Sequence, residues 1–556
     1  MNVMNTAAVG IGEIRSSGDQ ASVRQRTRVT AVDLTTRHRG KGPLALDHVS
    51  LAIEPGNLTV IVGPSGAGKT TLLSALAGLT SVDEGSVAFE DANGIRYVAD
   101  VGFVPQDDIL HGELPLQTTL RYAAALRLTA ASSVIDATVT EVMEILGLTE
   151  HASTPVHSLS GGQRKRANIA CEILTRPDVL FLDEPTSGLD PAVAADVVEH
   201  LQRMSDAGST VVFTTHSASD IERSDQVLVM APGGRLVASG EPDEVRARFR
   251  AATFAEMFAQ LVHVQPVHEV RQSAAHRTSS PPSRRRANRP GAIQQWWALT
   301  RRSADILVRN RLTVAILLGS PASVIAMFAL LFRSDAFHPA SAGSASAVQV
   351  AYWLSFAGFF FGLTFGLLQV CTEVPTLRRE RYAGLRIGAY LASKLALLTP
   401  ILVIVNIAMI AVLRGLGRLP HLSPRALVVL AVTMLLNSMA ALCLGLLASA
   451  AVTSTAQAAL ALPMLCFPAV LFSGAMLPVG TMATPGKLIA AVMSDRWAFE
   501  AIGRHLGVSG LIQPASPYVS LGASSTATYW GLLVIFTLVW GLGAYVAIHY
   551  RAGRSR

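Results

Sequence analysis

Charge is scarce in this chain: only 15% of its 556 residues are Asp, Glu, Lys or Arg, against roughly 25% in an ordinary soluble protein. The shortage is confined to one half. The last 245 residues hold five acidic and fifteen basic side chains, whereas residues 1–311 hold 34 acidic and 31 basic. A nearly neutral, ordinarily polar front half therefore precedes an apolar back half. A wholly soluble chain and a fully disordered one are both excluded. Cysteine is equally sparse. Cys171, Cys371, Cys443 and Cys466 are too widely separated for a disulfide framework or a zinc site. The N-terminus lacks a basic stretch followed by an apolar core, so no signal peptide is expected, and the front half is expected to stay in the cytosol. The formal net charge of +7 arises in the back half, where basic residues beside membrane helices have their own explanation. No nucleic-acid partner is expected.

What is present falls into a clear order. Residues 1–28 read as a flexible N-terminus. Across 29–250, β-branched runs alternate with helical stretches, an α/β pattern with strands at 58–62, 179–182, 210–214 and 226–230. Helices are expected at 69–78, 162–175 and 191–206, with further helix within 116–147. Residues 251–290 are a linker, Ser/Pro/Arg-rich toward its end. The stretch 291–311 combines Trp296 and Trp297 with Arg301, Arg302, Arg309 and Arg311, as an amphipathic helix on a membrane surface would. Six apolar segments follow, at 312–332, 349–372, 389–413, 426–450, 456–477 and 527–549, each near the roughly 20 residues that cross a bilayer. They define a six-span domain over 312–550. Its longest nonspanning part, 478–526, reads as short helices in or dipping into the outer interface, and 551–556 as a cytosolic tail. An even number of spans places both termini in the cytoplasm, and the arginines at 378–386 and 551–556 agree with the positive-inside rule. Arg414, Arg418 and Arg425, in a loop assigned outside, do not.

The chemistry is concentrated in the front half. GPSGAGKTT, from Gly63 to Thr71, follows the strand LTVIV and opens a helix, the setting a phosphate-binding loop needs. The backbone N–H groups of Gly63, Pro64's neighbours, Ser65, Gly66, Ala67 and Gly68 can close around phosphates, and the helix N-terminus favours their charge. Lys69 should reach the β and γ phosphates, Thr70 should place its hydroxyl on Mg2+, and Thr71 is a neighbouring phosphate contact. VLFLDEP ends a buried strand in two acids. Asp183 can bind Mg2+ directly or through water, leaving Glu184 to polarise the attacking water as general base. Gln106, in FVPQDDIL, can touch Mg2+ or that water, and His216 follows VVFTT within reach of the γ phosphate. LSGGQ offers Ser160, Gly161, Gly162 and Gln163 at a helix start, a second phosphate-binding surface.

In this order the motifs resemble those of the ATP-binding cassette (ABC) transporters, with LSGGQ like the family signature and SGLD, ending at Asp190, like its D-loop. The resemblance implies an α/β P-loop NTPase domain fused to an all-α six-helix transmembrane domain, using ATP and Mg2+. It also implies a head-to-tail dimer in which Ser160, Gly161 and Gly162 of one copy face the P-loop of the other. Gln106 would then be the lever toward the membrane domain and His216 the γ-phosphate switch. A nucleotide domain preceding six spans resembles the G subfamily of half-transporters within the ABC-2 class, as do LSGGQRKR, EPTSGLD, RRERYAGLRIGAYLASK, FSGAMLP and DRWAFEAI. The Ala- and Arg-rich composition suggests a bacterial member. One departure is the adenine-stacking aromatic: the corresponding region, LTTRHRGKGPLALDHV, has none, and Arg37 or His38 stands in its place.

Between the second and third spans, Arg378, Arg379, Glu380 and Arg381 form a charge cluster suited to passing a push into the membrane, Glu380 above all because an acid among bases offers pairing. The Phe356, Phe359, Phe360, Phe361 and Phe365 band reads as lipid-facing or core packing ahead of the lining of an apolar cavity, and Asn437 as a link between helices ahead of a substrate contact. The function expected is ATP-driven export of an amphipathic, lipid-like or lipid-linked substrate from the cell membrane by two copies of the chain or by a related pair. The alternative is a membrane-anchored regulatory or assembly ATPase that moves no solute.

Overall fold

The computed structural model describes residues 26–37, 42–261, 289–332, 337, 343–512, 518 and 521–553. The chain divides into two compact units between Arg289 and Pro290. His38, most of the linker and most of the N-terminal segment lie outside the described residues.

In the first unit the strands are β1 (Arg28–Arg37), β2 (Leu44–Ile53), β3 (Leu58–Val62), β4 (Glu84–Glu90), β5 (Arg96–Tyr97), β6 (Val101–Val104), β7 (Val179–Leu182), β8 (Thr210–Thr214), β9 (Gln226–Ala231) and β10 (Arg235–Gly240). Its helices are α1 (Lys69–Leu76), α2 (Leu116–Arg127), α3 (Ser132–Ile145), α4 (Gly161–Ile173), α5 (Pro191–Asp206), α6 (Ala218–Glu222), α7 (Pro242–Arg248) and α8 (Phe254–Leu261). One sheet runs β10-β9-β3-β8-β7-β6, parallel except for the edge strand β10. Its central strands LTVIV, VLFL and TVVFT are buried along their whole length, as a sheet covered on both faces demands. Their side chains alternate between two cores. Val60, Leu180, Leu182, Val211 and Phe213 pack with α2–α5, while Ile61, Phe181 and Val212 pack with Leu72 and Leu73 of α1 and with Leu34, Leu51 and Ile53. The last three belong to a second, antiparallel sheet, β2-β1-β4-β5. The expected helical region 116–147 is two helices broken at residues 128–131.

The second unit is all helix: α9 (Ala292–Arg309), α10 (Arg311–Leu331), α11 (Gly343–Leu367), α12 (Val374–Tyr382), α13 (Ile387–Gly415), α14 (Pro424–Ala451), α15 (Thr455–Phe472), α16 (Thr484–Ala491), α17 (Ser494–His505) and α18 (Thr526–Gly553). Among the described residues six of these, α10, α11, α13, α14, α15 and α18, are long and apolar enough to cross a membrane. This is an integral, multi-pass membrane protein. The soft boundary between the fourth and fifth spans is a three-residue break, Val452–Ser454, whose Ser454 caps α15. The fifth span is shorter than expected: α15 ends at Phe472, and Gly474 turns the chain with a φ of 87°.

The tightest seam joins α11 and α14. Gly358, Gly362 and Gly366 recur every fourth residue on one face of α11, so the backbones approach closely. A Cβ at Gly362 would lie 2.1 Å from Ser438 O, and one at Gly445 of α14 would lie 2.6 Å from Leu363 O. The phenylalanine band is packing: Phe359 and Leu363 bury against Ala441 and Ala469, with Phe356 alongside. One of the three arginines that depart from the positive-inside rule has a partner in the fold. Arg418 Nη2 donates to Ala329 O at 3.3 Å, satisfying a carbonyl at the end of α10.

Candidate active site and coupling segment

Register brings the motif residues of the first unit to one edge. In the parallel sheet Val104 pairs with Leu182, Leu182 with Phe213, and Ile61 with Thr214. The residues that follow these strand ends, Gly63, Gln106, Asp183 and His216, therefore emerge side by side at the carboxyl edge, where α/β sheets bind ligands. The loop after β3 turns on Gly63, Gly66 and Gly68, all at positive φ. No side chain fits at either end: a Cβ would come within 2.3 Å of Met230 O at Gly63, and of Ala45 O at Gly68. Lys69 folds back over this loop, its Nζ donating to Gly63 O at 2.9 Å and Pro64 O at 3.0 Å. Partial burial pulls its ammonium below the ordinary lysine value, opposed by Glu184 and Asp183.

The two acids are held by neutral groups. Asp183 is buried, and its Oδ1 accepts from Thr214 Oγ1 at 2.6 Å and Thr70 Oγ1 at 3.2 Å. Glu184 adopts a φ of 46°, an uncommon left-handed conformation for a side-chain-bearing residue. It is pinned there by its own N–H donating to Thr214 Oγ1 at 2.8 Å, while Glu184 Oε2 accepts from Gln106 Nε2 at 3.1 Å. With its nitrogen on Glu184, Gln106 has its amide oxygen left for a cation or a water. The groups hydrogen-bonded to Asp183 and Glu184 are uncharged, and Lys69, whose ammonium the two acids favour through space, bonds to two carbonyls instead. Both carboxylates are left open to a metal ion. An all-oxygen set of Thr70 hydroxyl, Asp183 carboxylate and Gln106 carbonyl suits Mg2+, so the residues fit an ATP–Mg2+ site.

Two threonines and an acid missed in the sequence complete the edge. Buried Asp220 accepts from Thr186 Oγ1 and Thr215 Oγ1, both at 2.7 Å, tying the start of the D-loop segment to the residue before His216. His216 itself is exposed beyond β8, and Asp190 is the exposed N-cap residue of α5. The signature motif sits where expected, at the N-terminus of α4. Ser160 caps it, and Gly162 packs so closely on α5 that a Cβ would meet Val193 Cγ1 at 2.7 Å, whereas Gly161 faces open space. Asn168 Nδ2 donates to Asp108 Oδ1 at 2.7 Å and Lys165 Nζ donates to Gln106 O, so the signature helix is fastened to the segment bearing Gln106. Its far end is anchored by the buried Arg127–Glu172 pair, with bonds of 2.7 and 3.0 Å. Of the two candidates for stacking adenine, Arg37 ends β1 with its N–H on Asp83 Oδ2 at 2.8 Å. His38 lies outside the described residues.

In the second unit Arg378, Arg379, Glu380 and Arg381 lie on the short helix α12. Glu380 finds a partner on another helix. It is buried against Arg302 of α9, which donates to both carboxylate oxygens, one at 3.1 Å. Arg302 is thus an inward residue of α9 rather than one facing headgroups. Gln295 of the same helix face clasps the following turn, its Nε2 donating to Gly384 O at 3.2 Å and its Oε1 accepting from Arg386 N at 3.0 Å. Arg378 and Arg381 reach the other way, to Arg551 O at 3.1 Å and to His549 O at the end of α18. Arg379 lies on α12 beside them. Glu373, Lys394 and Tyr390 form a second polar knot, with Lys394 Nζ donating to Glu373 Oε1 at 2.7 Å and Tyr390 Oη to Glu373 Oε2 at 2.9 Å. Asn437 joins helices: its Nδ2 donates to Ser355 O at 3.0 Å and to Asp495 Oδ1 at 3.4 Å.

The first unit thus defines a P-loop ATPase, and the second a six-span membrane domain. Comparison with known proteins agrees. Residues 46–187 match the family model described as ABC transporter, and residues 294–502 match that described as ABC-2 type transporter. The chain carries an ABC transporter nucleotide domain followed by an ABC-2 type membrane domain, the make-up of a half-transporter. Over 526 residues it is 32% identical to the ABC transporter ATP-binding/permease protein Rv1747 of Mycobacterium tuberculosis, which covers 89% of this chain and 60% of that protein. Its front half is 36% identical over 230 residues to the putative white-brown complex homolog protein 30 of Arabidopsis thaliana, covering 39% of this chain and 21% of that one. It is 39% identical over 203 residues to ABC transporter G family member 22 of the same plant, covering 34% and 27%. The chain therefore spans 60% or less of the length of these curated relatives.

Proposed function

We propose that this chain is half of an ATP-driven exporter of the G-subfamily kind, working as a pair to move an amphipathic, lipid-like or lipid-linked molecule outward across the cell membrane. The observation that carries the reading is the hydrogen-bond clamp on Asp183 and Glu184: Thr70, Thr214 and Gln106 orient two acids and leave them open to the Mg2+ of ATP–Mg2+ and to a water. In this reading Lys69 and the loop from Gly63 to Thr71 bind the phosphates, Thr70, Gln106 and Asp183 hold Mg2+, and Mg2+ supplies charge neutralisation on the phosphates. Glu184 polarises the attacking water, and His216 senses the γ phosphate. Ser160 and the open face at Gly161 belong to the opposing copy's site, with Gln163 and Asp190 framing them, so one chain is half a machine. Closure of the paired nucleotide domains, which we assign to residues 29–250, is passed to the membrane by Arg378, Arg379, Glu380 and Arg381 of α12. The stretch at 291–311 lies along the inner interface, α16 and α17 at the outer one, and both termini are cytoplasmic. The bond from Arg302 to Glu380 and those from α12 to the end of α18 support this role. The relatives named as G family members favour the subfamily, and the mycobacterial relative favours a bacterial member.

The test is Mg2+-dependent ATP hydrolysis by the whole protein in nanodiscs of native-source or plain synthetic lipid, with Glu184→Gln as blank. Basal turnover should fall about 10²- to 10⁴-fold in that variant, the usual worth of a positioned base. Stimulation by the native lipid supports a lipid-like cargo. Turnover without stimulation by any lipid favours the regulatory ATPase instead. No activity above the blank, with ATP bound and dimers intact, overturns the self-sufficient homodimer.

A further inference from the structure

The signature motif carries a hydrogen-bond chain that extends beyond the motif itself. Ser160 N donates to Gln163 Oε1 at 2.9 Å, and Gln163 N donates to Ser160 Oγ at 3.3 Å, closing a reciprocal box at the start of α4. The oxygen end of the Gln163 amide is therefore committed. Turned around, it would set an NH2 group against the Ser160 N–H, donor against donor. Its nitrogen end points the other way and lies 2.8 Å from Nε2 of His151. An amide NH2 has only hydrogens to offer, so that ring nitrogen must accept. In this arrangement Nε2 of His151 is the acceptor, the role that the Nδ1–H tautomer provides.

His151 is well placed to impose this order. It ends a one-turn helix, Thr149–His151, with its N–H on Leu148 O at 3.0 Å and its carbonyl accepting from Thr154 N at 3.0 Å. The next residues are bonded to the start of α2, Gln117 N to Ala152 O and Leu116 N to Thr154 O, both at 3.0 Å. A half-buried ring on this framework fixes one face of the Gln163 amide, and the amide fixes Ser160.

We propose that His151 is a positioning residue for the signature serine. By accepting from Gln163 it locks the capping box, which occupies a lone pair of Ser160 Oγ and leaves the hydroxyl hydrogen of that exposed side chain to donate to the phosphate of the ATP held by the opposing copy. The inference rests on the composite site proposed above.

Full-length protein in nanodiscs tests it through kcat and KM for ATP, ADP affinity as a report on the P-loop alone, and thermal stability. Replacing the acceptor, His151→Leu, should lower kcat/KM for ATP about tenfold, the worth of roughly one hydrogen bond to an oriented group, with ADP affinity unchanged. His151→Gln, whose Oε1 reaches about as far as Nε2, should restore it to within about twofold. Ser160→Ala should show a loss of its own, and adding His151→Leu to it should cost nothing further, because both act through one hydroxyl. Wild-type turnover in His151→Leu, losses that add in the double variant, or a loss that His151→Gln shares equally would each overturn the inference. Wild-type turnover in Ser160→Ala would instead bring down the composite site on which it rests.

Discussion

The acids of the membrane unit and those at the sheet edge of the nucleotide unit are handled in opposite ways. In the membrane unit the chain spends its few acids on internal partners: Glu373 takes Lys394, Glu380 takes Arg302, and Glu500 takes Arg496 at 3.2 Å. In the nucleotide unit the two acids at the sheet edge are surrounded by hydroxyl and amide donors, and the nearby lysine bonds to carbonyls. Where charge serves architecture it is neutralised within the fold. Where it serves chemistry the carboxylates are left open to a cation from outside. Asp495 tests the rule, because it sits fully buried in the membrane unit with neutral donors, Ser355 Oγ at 2.6 Å and Asn437 Nδ2, and its Oδ2 has no hydrogen-bond partner among the described residues.

The largest effects should come from the sheet edge and should be effects on activity. Asp183→Asn keeps an oxygen for Thr70 and Thr214, so the fold without ligand should be at least as stable as wild type. The stabilisation added by ATP–Mg2+ should vanish, about 2.7 kcal/mol at a hundredfold excess over Kd. Melting curves with and without ATP–Mg2+ read both quantities. A variant that is destabilised without ligand would mean the fold itself, not the ligand, balances the charge of Asp183. Arg302→Ala should behave in the reverse manner. It takes away the guanidinium that bonds both oxygens of buried Glu380, at a cost of about 3–5 kcal/mol to the membrane unit, while isolated ATP binding is unaffected. Pairing it with Glu380→Gln should recover most of the loss, since the second change removes the buried charge. Failure of that recovery would show that Arg302 matters for packing and not for charge.

What was legible in the sequence follows the range of the interaction. The P-loop, the Asp183–Glu184 pair and the signature are contiguous because a strand end or a helix start needs only neighbouring residues, so they could be named with their roles. The central parallel strands were legible for the same reason, as unbroken apolar runs. The antiparallel sheet of β1, β2, β4 and β5 was not, because its half-exposed strands carry a weak pattern and pair across long stretches. Thr214 lies 31 residues from Asp183, His151 lies 12 from Gln163 and Arg302 lies 78 from Glu380. Glu380 could be picked out as an acid that wants a partner, but Arg302, which bonds both of its oxygens, lies on another helix, α9. The glycines at 358, 362 and 366 had the spacing of a packing face, and only the helix opposite, α14, gives that spacing its meaning.

The smallest expected effect sharpens the comparison most, because Asp495 fits neither pattern fully. Asp495→Asn preserves the oxygen that accepts from Ser355 and Asn437 while removing the charge. If the carboxyl only knots α17 to α11 and α14, stability should stay within about 1 kcal/mol of wild type and turnover should not change. Ser355→Ala and Asn437→Ala, which remove donors and leave the acid unsatisfied, should each cost about 1–3 kcal/mol. A folded Asp495→Asn protein whose ATPase no longer responds to lipid would reverse the assignment. The charge, not the hydrogen bonds, would then be what the membrane unit keeps there, and Asp495 would join Asp183 and Glu184 as an acid held open for something outside the fold.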